Sequence, residues 1–275
     1  VAGVIPWTEV ELEDEDSVTE RFRRVAGTGD VEIAVVRLPH ISNFTDFQAL
    51  SLAVGARVRY AEKPADLENA DVVVLPGTKN TIEDLIAIRN RGMDAAVVRH
   101  ARKGGLVIGV CGGYQMLANG LPDPLHVESR VTEVAGLGLL NMNVEFLPEK
   151  TTVQAAGTIE GGNSWLSSVD GATVDGYEFH AGANTCGAGT VPWLRLSFRE
   201  GVDGVRNERG NVLGSYVHGL FDNGHLARAI VDRARAEKGL SARGGESLTL
   251  DQFREREFDR LADIVRASLD MDFVY

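Results

Sequence analysis

GLVIGVCGGYQML, residues 105–117, is the stretch on which the fold turns. Leu106 to Val110 is a short apolar run, the pattern of a strand buried on both faces. It ends at Cys111, and Gly112-Gly113 opens a helix. A strand passing straight into a helix at a cysteine between small residues is a nucleophile elbow, with cysteine in the place of serine. The sharp turn pushes the side chain out at the carboxyl end of the strand. Crowding there explains Gly109, Gly112 and Gly113. A helix N-terminus favours a thiolate, and its free backbone N–H groups can hold an oxyanion. The plainer alternative is a glycine-rich turn around a buried structural cysteine. Glycines on both sides of Cys111 favour the elbow.

Working outward, EIAVVRL (32–38), RVRYA (57–61) and DVVVLPG (71–77) read as further strands. Helices are expected from Phe47 to Val54, with Asp46 as a cap, and after Asn80 or Thr81, with Glu83 and Asp84 in the first turn. Another is expected from Asp94 to Arg102. Strands alternating with helices predict a doubly wound α/β sheet, which holds ligands at its carboxyl edge. From about Gly136 to Phe198 shorter strands and turns predict an antiparallel extension. NVLGSYVHGLF (211–221) restores a strand and turn, and 225–239 and 251–268 read as charged helices. Residues 1–28, with the acidic stretch VELEDEDSVTERFRR, read as a linker or a remnant helix, and VAGVIPW, opening on Val1, as the end of something preceding.

A net charge of −12 over 275 residues repels phosphate backbones and anionic membranes. No apolar run is long enough to span a bilayer. Two cysteines, Cys111 and Cys186, do not make a disulfide scaffold, so a reducing cytoplasm is expected. No His/Cys/Asp cluster has metal-ligand spacing, and no GxxxxGK[ST] phosphate loop is present. A cysteine nucleophile needs a base, and there are six histidines. His218 ends an apolar strand before a glycine turn, where it could face Cys111. His180, in GYEFHAG (176–182), is the rival. His40, His100, His126 and His225 fall in no motif.

With these residues in place, VCGGYQML and YVHGLF resemble the class I (triad-type) glutamine amidotransferases, whose sheet is flavodoxin-like. Within that class the chain resembles the cobyric acid synthase branch. PGTKNTIEDL (76–85), GYEFHAG, YVHGLFDN (216–223) and DRLADIVRASLDMD (259–272) carry the likeness, in order along the chain. VIPW and EDS near the start resemble the end of that branch's ATP-using domain.

The resemblance implies that Cys111 attacks the glutamine side-chain amide and that His218 moves the proton. It implies an oxyanion hole at Gly77 and Gly112, and glutamine held by Gln115, with Glu178 and His180 lining the substrate side. It implies an amidotransferase domain at 29–240 and a helical tail at 241–275. The partners implied are glutamine, an N-terminal synthetase domain using ATP and Mg2+, and a corrinoid, adenosylcobyrinic acid a,c-diamide. No cofactor is implied in this chain itself.

Two departures stand out. The broader class reads His-Pro-Glu, where this chain reads His218-Gly219-Leu220, so another group must orient the base or the site works as a dyad. After GYEFHAG the branch usually continues with Arg-Thr, where this chain has Ala183-Asn184-Thr185. The competing readings are the amidotransferase of another amide ligase, acting on a cell-wall lipid precursor or making cobyrinic acid a,c-diamide, a related cysteine hydrolase, and a non-enzymatic module.

Overall fold

In the computed structural model, which describes residues 1–8, 10, 25–197, 202–245 and 247–274, the branched apolar runs form the middle of a sheet. They are β1 (Val31–Val36), β3 (Val72–Leu75) and β4 (Leu106–Val110), with β2 (Ala56–Ala61) outside β1. Strand β13 (Val212–Ser215) pairs parallel with β4 on the other side. The order β2-β1-β3-β4-β13 is all parallel and is the flavodoxin-like 2-1-3-4-5 arrangement. Helices α1 (Thr45–Leu52), α2 (Thr81–Asn90), α3 (Met93–Arg102) and the short α4 (Gly112–Met116) connect these strands. Such sheets are buried on both faces, which is why β3 and β4 are apolar throughout.

The antiparallel extension continues the same sheet. Strands β8 (Thr151–Ile159), β9 (Thr173–His180), β11 (Thr190–Leu196), β12 (Val202–Asn207) and β14 (Val217–His218) complete a ten-stranded order, β13-β12-β11-β8-β9-β14 on this side. β13 and β14 stand at opposite ends of that run, yet Tyr216 alone separates them in sequence. Consecutive Cα atoms lie about 3.8 Å apart, so the extension must curl back on itself. This curl brings β9 and β14 over the carboxyl end of β4. The buried Asp203 pins the junction, accepting hydrogen bonds from the Ser215 hydroxyl and, at 3.0 Å, from the Tyr216 N–H.

A second sheet, of β5 (Gly120–Pro122), β6 (Glu133–Ala135), β7 (Met142–Glu145) and β10 (Ala183–Cys186), packs alongside in the order β10-β7-β5-β6. Helices α5 (His225–Glu237) and α6 (Leu250–Ser268) follow. Asn80 caps α2 as expected, its side chain accepting from the Glu83 N–H at 3.0 Å. The expectation for α1 needs correction. The helix begins at Thr45, its N-cap is Phe44, and Asp46 lies inside the first turn, buried and engaged elsewhere. The linker expected at 1–28 falls largely outside the described residues. Among the described residues no helix is long and apolar enough to cross a membrane.

Candidate active site

Cys111 sits between β4 and α4 with φ 50° and ψ −110°, a backbone conformation that L-residues seldom adopt. Close packing enforces the turn. A Cβ on Gly113 would lie 2.0 Å from the Leu75 carbonyl oxygen, and one on Gly109 would lie 2.6 Å from the Tyr114 Cα. As the first helical residue, Gly112 has an N–H with no partner inside the helix. Gly77, at the end of β3, lies between the two reactive side chains. A Cβ there would stand 3.1 Å from His218 Cε1 and 3.8 Å from Cys111 Cβ.

His218, on β14, is buried and stands beside Cys111 across Gly77. Its Nδ1 lies 2.7 Å from Asp46 Oδ2, and the other Asp46 oxygen accepts from the Gly219 N–H at 2.9 Å. The Asn43 amide nitrogen lies 3.0 and 3.1 Å from the two ring nitrogens, and Tyr177 stacks on the ring at 5.2 Å. The loop that carries Asn43 and leads into α1 with Asp46 is strapped to the one after β3. Ser42 N–H donates to Gly77 O at 2.9 Å, and Lys79 N–H to His40 O at 3.0 Å. His40 Nδ1 lies 2.8 Å from the buried Asp84 carboxylate, which secures the same strap.

These elements have a match among known proteins. The family of CobB/CobQ-like glutamine amidotransferase domains matches residues 32–226. The chain belongs to this family. It is 42% identical over 281 residues to the cobyric acid synthase of Thermoanaerobacter sp. (strain X514), covering 100% of this chain and 55% of that protein. With the cobyric acid synthase of Yersinia enterocolitica it shares 40% over 280 residues, covering 99% of this chain and 54% of the other. The chain thus spans about half the length of the curated relatives it matches. The solved structure of PurLQS from Thermotoga maritima is similar in fold, with a TM-score of 0.55 at 19% identity, covering 75% of this chain and 96% of that one.

In this amidotransferase domain the other expected residues fall around the same edge. Gln115 is buried, and its N–H donates to Cys111 O at 3.1 Å. Glu178 is buried on β9, in register with Val217. The His180 ring stacks on Tyr216, 3.8 Å between centroids, and its Nδ1 lies 3.2 Å from Gly182 O. Cys186 is exposed on β10. Among the described residues no group of three or more His, Cys, Asp and Glu could hold a metal ion.

Burial pushes the His218 pKa down, but the hydrogen bond and charge of Asp46, with the neighbouring Cys111, raise it to about 10. The Cys111 thiol donates to the Phe179 carbonyl oxygen, 3.2 Å from Sγ. Sequence reasoning missed Asp46 as the partner of His218. The available signal was the absent glutamate two residues after His218, which required a substitute from elsewhere without saying where.

Proposed function

We propose that this domain hydrolyses glutamine at Cys111 and delivers the ammonia to an ATP-using synthetase domain. The observation that carries the reading is a buried Cys111–His218–Asp46 array at the strained elbow that ends β4. In this reading the Cys111 sulfur attacks the side-chain amide carbon. The carbonyl oxygen becomes an oxyanion and takes hydrogen bonds from the Gly77 and Gly112 N–H groups. His218 passes its proton to the departing nitrogen, and a glutamyl thioester and ammonia result. Water then attacks the thioester with His218 as base, releasing glutamate and restoring the thiol. Asp46 holds the imidazole in one orientation throughout and stabilises its charged form.

The cobyric acid synthase names of relatives at 40–42% identity support adenosylcobyrinic acid a,c-diamide as the acceptor, in cobalamin biosynthesis. ATP and Mg2+ would serve the synthetase domain. We take 29–240 as the catalytic unit, 1–28 as the link from the preceding domain, 241–275 as a helical tail, and the cytoplasm as the compartment. Intact mass after treatment with a glutamine-mimicking diazo-ketone tests the reading. One adduct on the wild type and none on Cys111→Ala is the expected result. Labelling of both, or of neither in the full-length protein, would overturn it.

A further inference from the structure

A buried primary amide has one acceptor and two donors to satisfy, and its neighbours decide which way it faces. Gln115 is such a group, one helical turn beyond Cys111. The Thr81 hydroxyl donates to Gln115 Oε1 at 2.8 Å, which fixes the carbonyl end. The nitrogen end of the Gln115 amide then lies on the side of the Tyr216 hydroxyl. Tyr216 passes its own proton to Asn184 Oδ1 at 2.5 Å, and Asn184 Nδ2 donates to the Tyr114 hydroxyl at 3.1 Å. These three bonds have their donors on the same side. Turning the Gln115 amide over would set an N–H against the Thr81 hydroxyl and bring its carbonyl toward Tyr216, whose proton is already given to Asn184.

The relay is held rigidly. Tyr216 lies between His180, stacked at 3.8 Å and 13°, and Tyr114, edge-on at 5.1 Å and 69°. Its hydroxyl therefore cannot swing away. Burial pushes the Tyr216 pKa upward, against the pull of the Gln115 and Asn184 hydrogen bonds, so the hydroxyl keeps its proton. A Cβ on Gly182 would sit 2.7 Å from Gln115 Nε2 and 3.4 Å from the Tyr216 hydroxyl, which places the nitrogen end against the β9–β10 corner. The Phe179 carbonyl of that corner reaches Cys111 Sγ.

We propose that Tyr216 and Asn184 are positioning residues that hold the Gln115 amide with one N–H directed to an acceptor oxygen of bound glutamine. This rests on the glutaminase reading of the site. Asn184 stands within Ala183-Asn184-Thr185, where the chain departs from the Arg-Thr usual in its branch. It lies on β10, in the second sheet, paired with Val144 of β7. The smaller sheet therefore reaches the substrate side through one amide and one phenol, and substrate affinity depends on how the two sheets are joined.

The test uses Tyr216→Phe, Asn184→Leu and Asn184→Asp in the full chain. Glutamate release gives kcat and KM, and alkylation of Cys111 by iodoacetamide reports the intact elbow. Tyr216→Phe and Asn184→Leu are expected to raise the KM for glutamine roughly tenfold, with kcat and alkylation within about twofold of wild type. Asn184→Asp is expected to hold KM near wild type, since a carboxylate still accepts the Tyr216 proton. An unchanged KM in Tyr216→Phe overturns the proposal, as does a parallel fall in kcat and alkylation, which marks a merely structural role. A wild type that neither releases glutamate nor takes up the diazo-ketone sinks the glutaminase reading and this proposal with it. Wild-type turnover with indifferent variants sinks this proposal alone.

Discussion

Asp46 does for His218 what a glutamate two residues further along would do in the broader class. Leu220, at that position, is buried and apolar. The Asp46 carboxylate is held at both oxygens, by the ring Nδ1 at 2.7 Å and the Gly219 N–H at 2.9 Å, so it fixes the angle of the ring as well as its charge. Replacing Asp46 by Asn keeps the shape and removes the charge. The His218 pKa, raised to about 10, should then fall toward its ordinary 6.5. Glutamate release by Asp46→Asn should drop by roughly 10² to 10⁴, and its alkaline limb should move to lower pH. A pH profile that keeps its alkaline limb would remove Asp46 from the site. The same pair bears on stability. A histidine whose folded pKa is raised contributes stability in full below its unfolded value and loses it as pH rises through the folded value. The Tm gap between wild type and Asp46→Asn should therefore be widest below about pH 6.5 and close toward about pH 10. Thermal melts across that range check it.

Among the elements, the turn into α4 has the least freedom. Gly113 would press a Cβ against the Leu75 carbonyl, and backbone of a central strand cannot yield. Gly112 meets side-chain atoms first, Thr78 Cγ2 at 2.6 Å and Thr81 Oγ1 at 3.1 Å, with the Thr78 backbone nitrogen farther off at 3.2 Å. Gly113→Ala should lower unfolding free energy by about 3 kcal/mol, and Gly112→Ala by clearly less. Urea titration of both variants decides, and equal losses would contradict the packing argument. The elbow was legible in GLVIGVCGGYQML because its cause is local: an apolar run, then small residues where a helix must start at once. The first turn of α1 was not. An aspartate at a helix start reads as a cap by chemistry alone, and nothing near it in sequence marks a buried partner.

For the whole molecule, the decisive feature is that one sheet runs through both halves. The parallel strands and the extension share a single hydrophobic cluster, with Val35 and Ile108 at one end and Val174 and Trp193 at the other. Trp193 also donates from its indole nitrogen to Gly214 O on β13 at 2.8 Å, tying the extension to the core. The two halves should unfold together. Tryptophan fluorescence and far-UV circular dichroism should trace one transition in denaturant. Two separated midpoints would show that the extension is an independent unit.

By itself the sequence determined the parallel α/β core, the elbow at Cys111, the strand-end position of His218 and a cap at Asn80 or Thr81. Each follows from residues within a few positions of one another, where propensity, crowding and apolar periodicity act directly. It also carried the motifs by which the chain resembles its family. Only the tertiary structure decided that Asp46 meets His218 across 172 residues, and that Gln115, Tyr216 and Asn184 come together. Those pairings depend on the curl that returns β14 to the edge of β4. Closure of a sheet is set by the sum of twist and packing over many strands, and no local stretch of the chain encodes it.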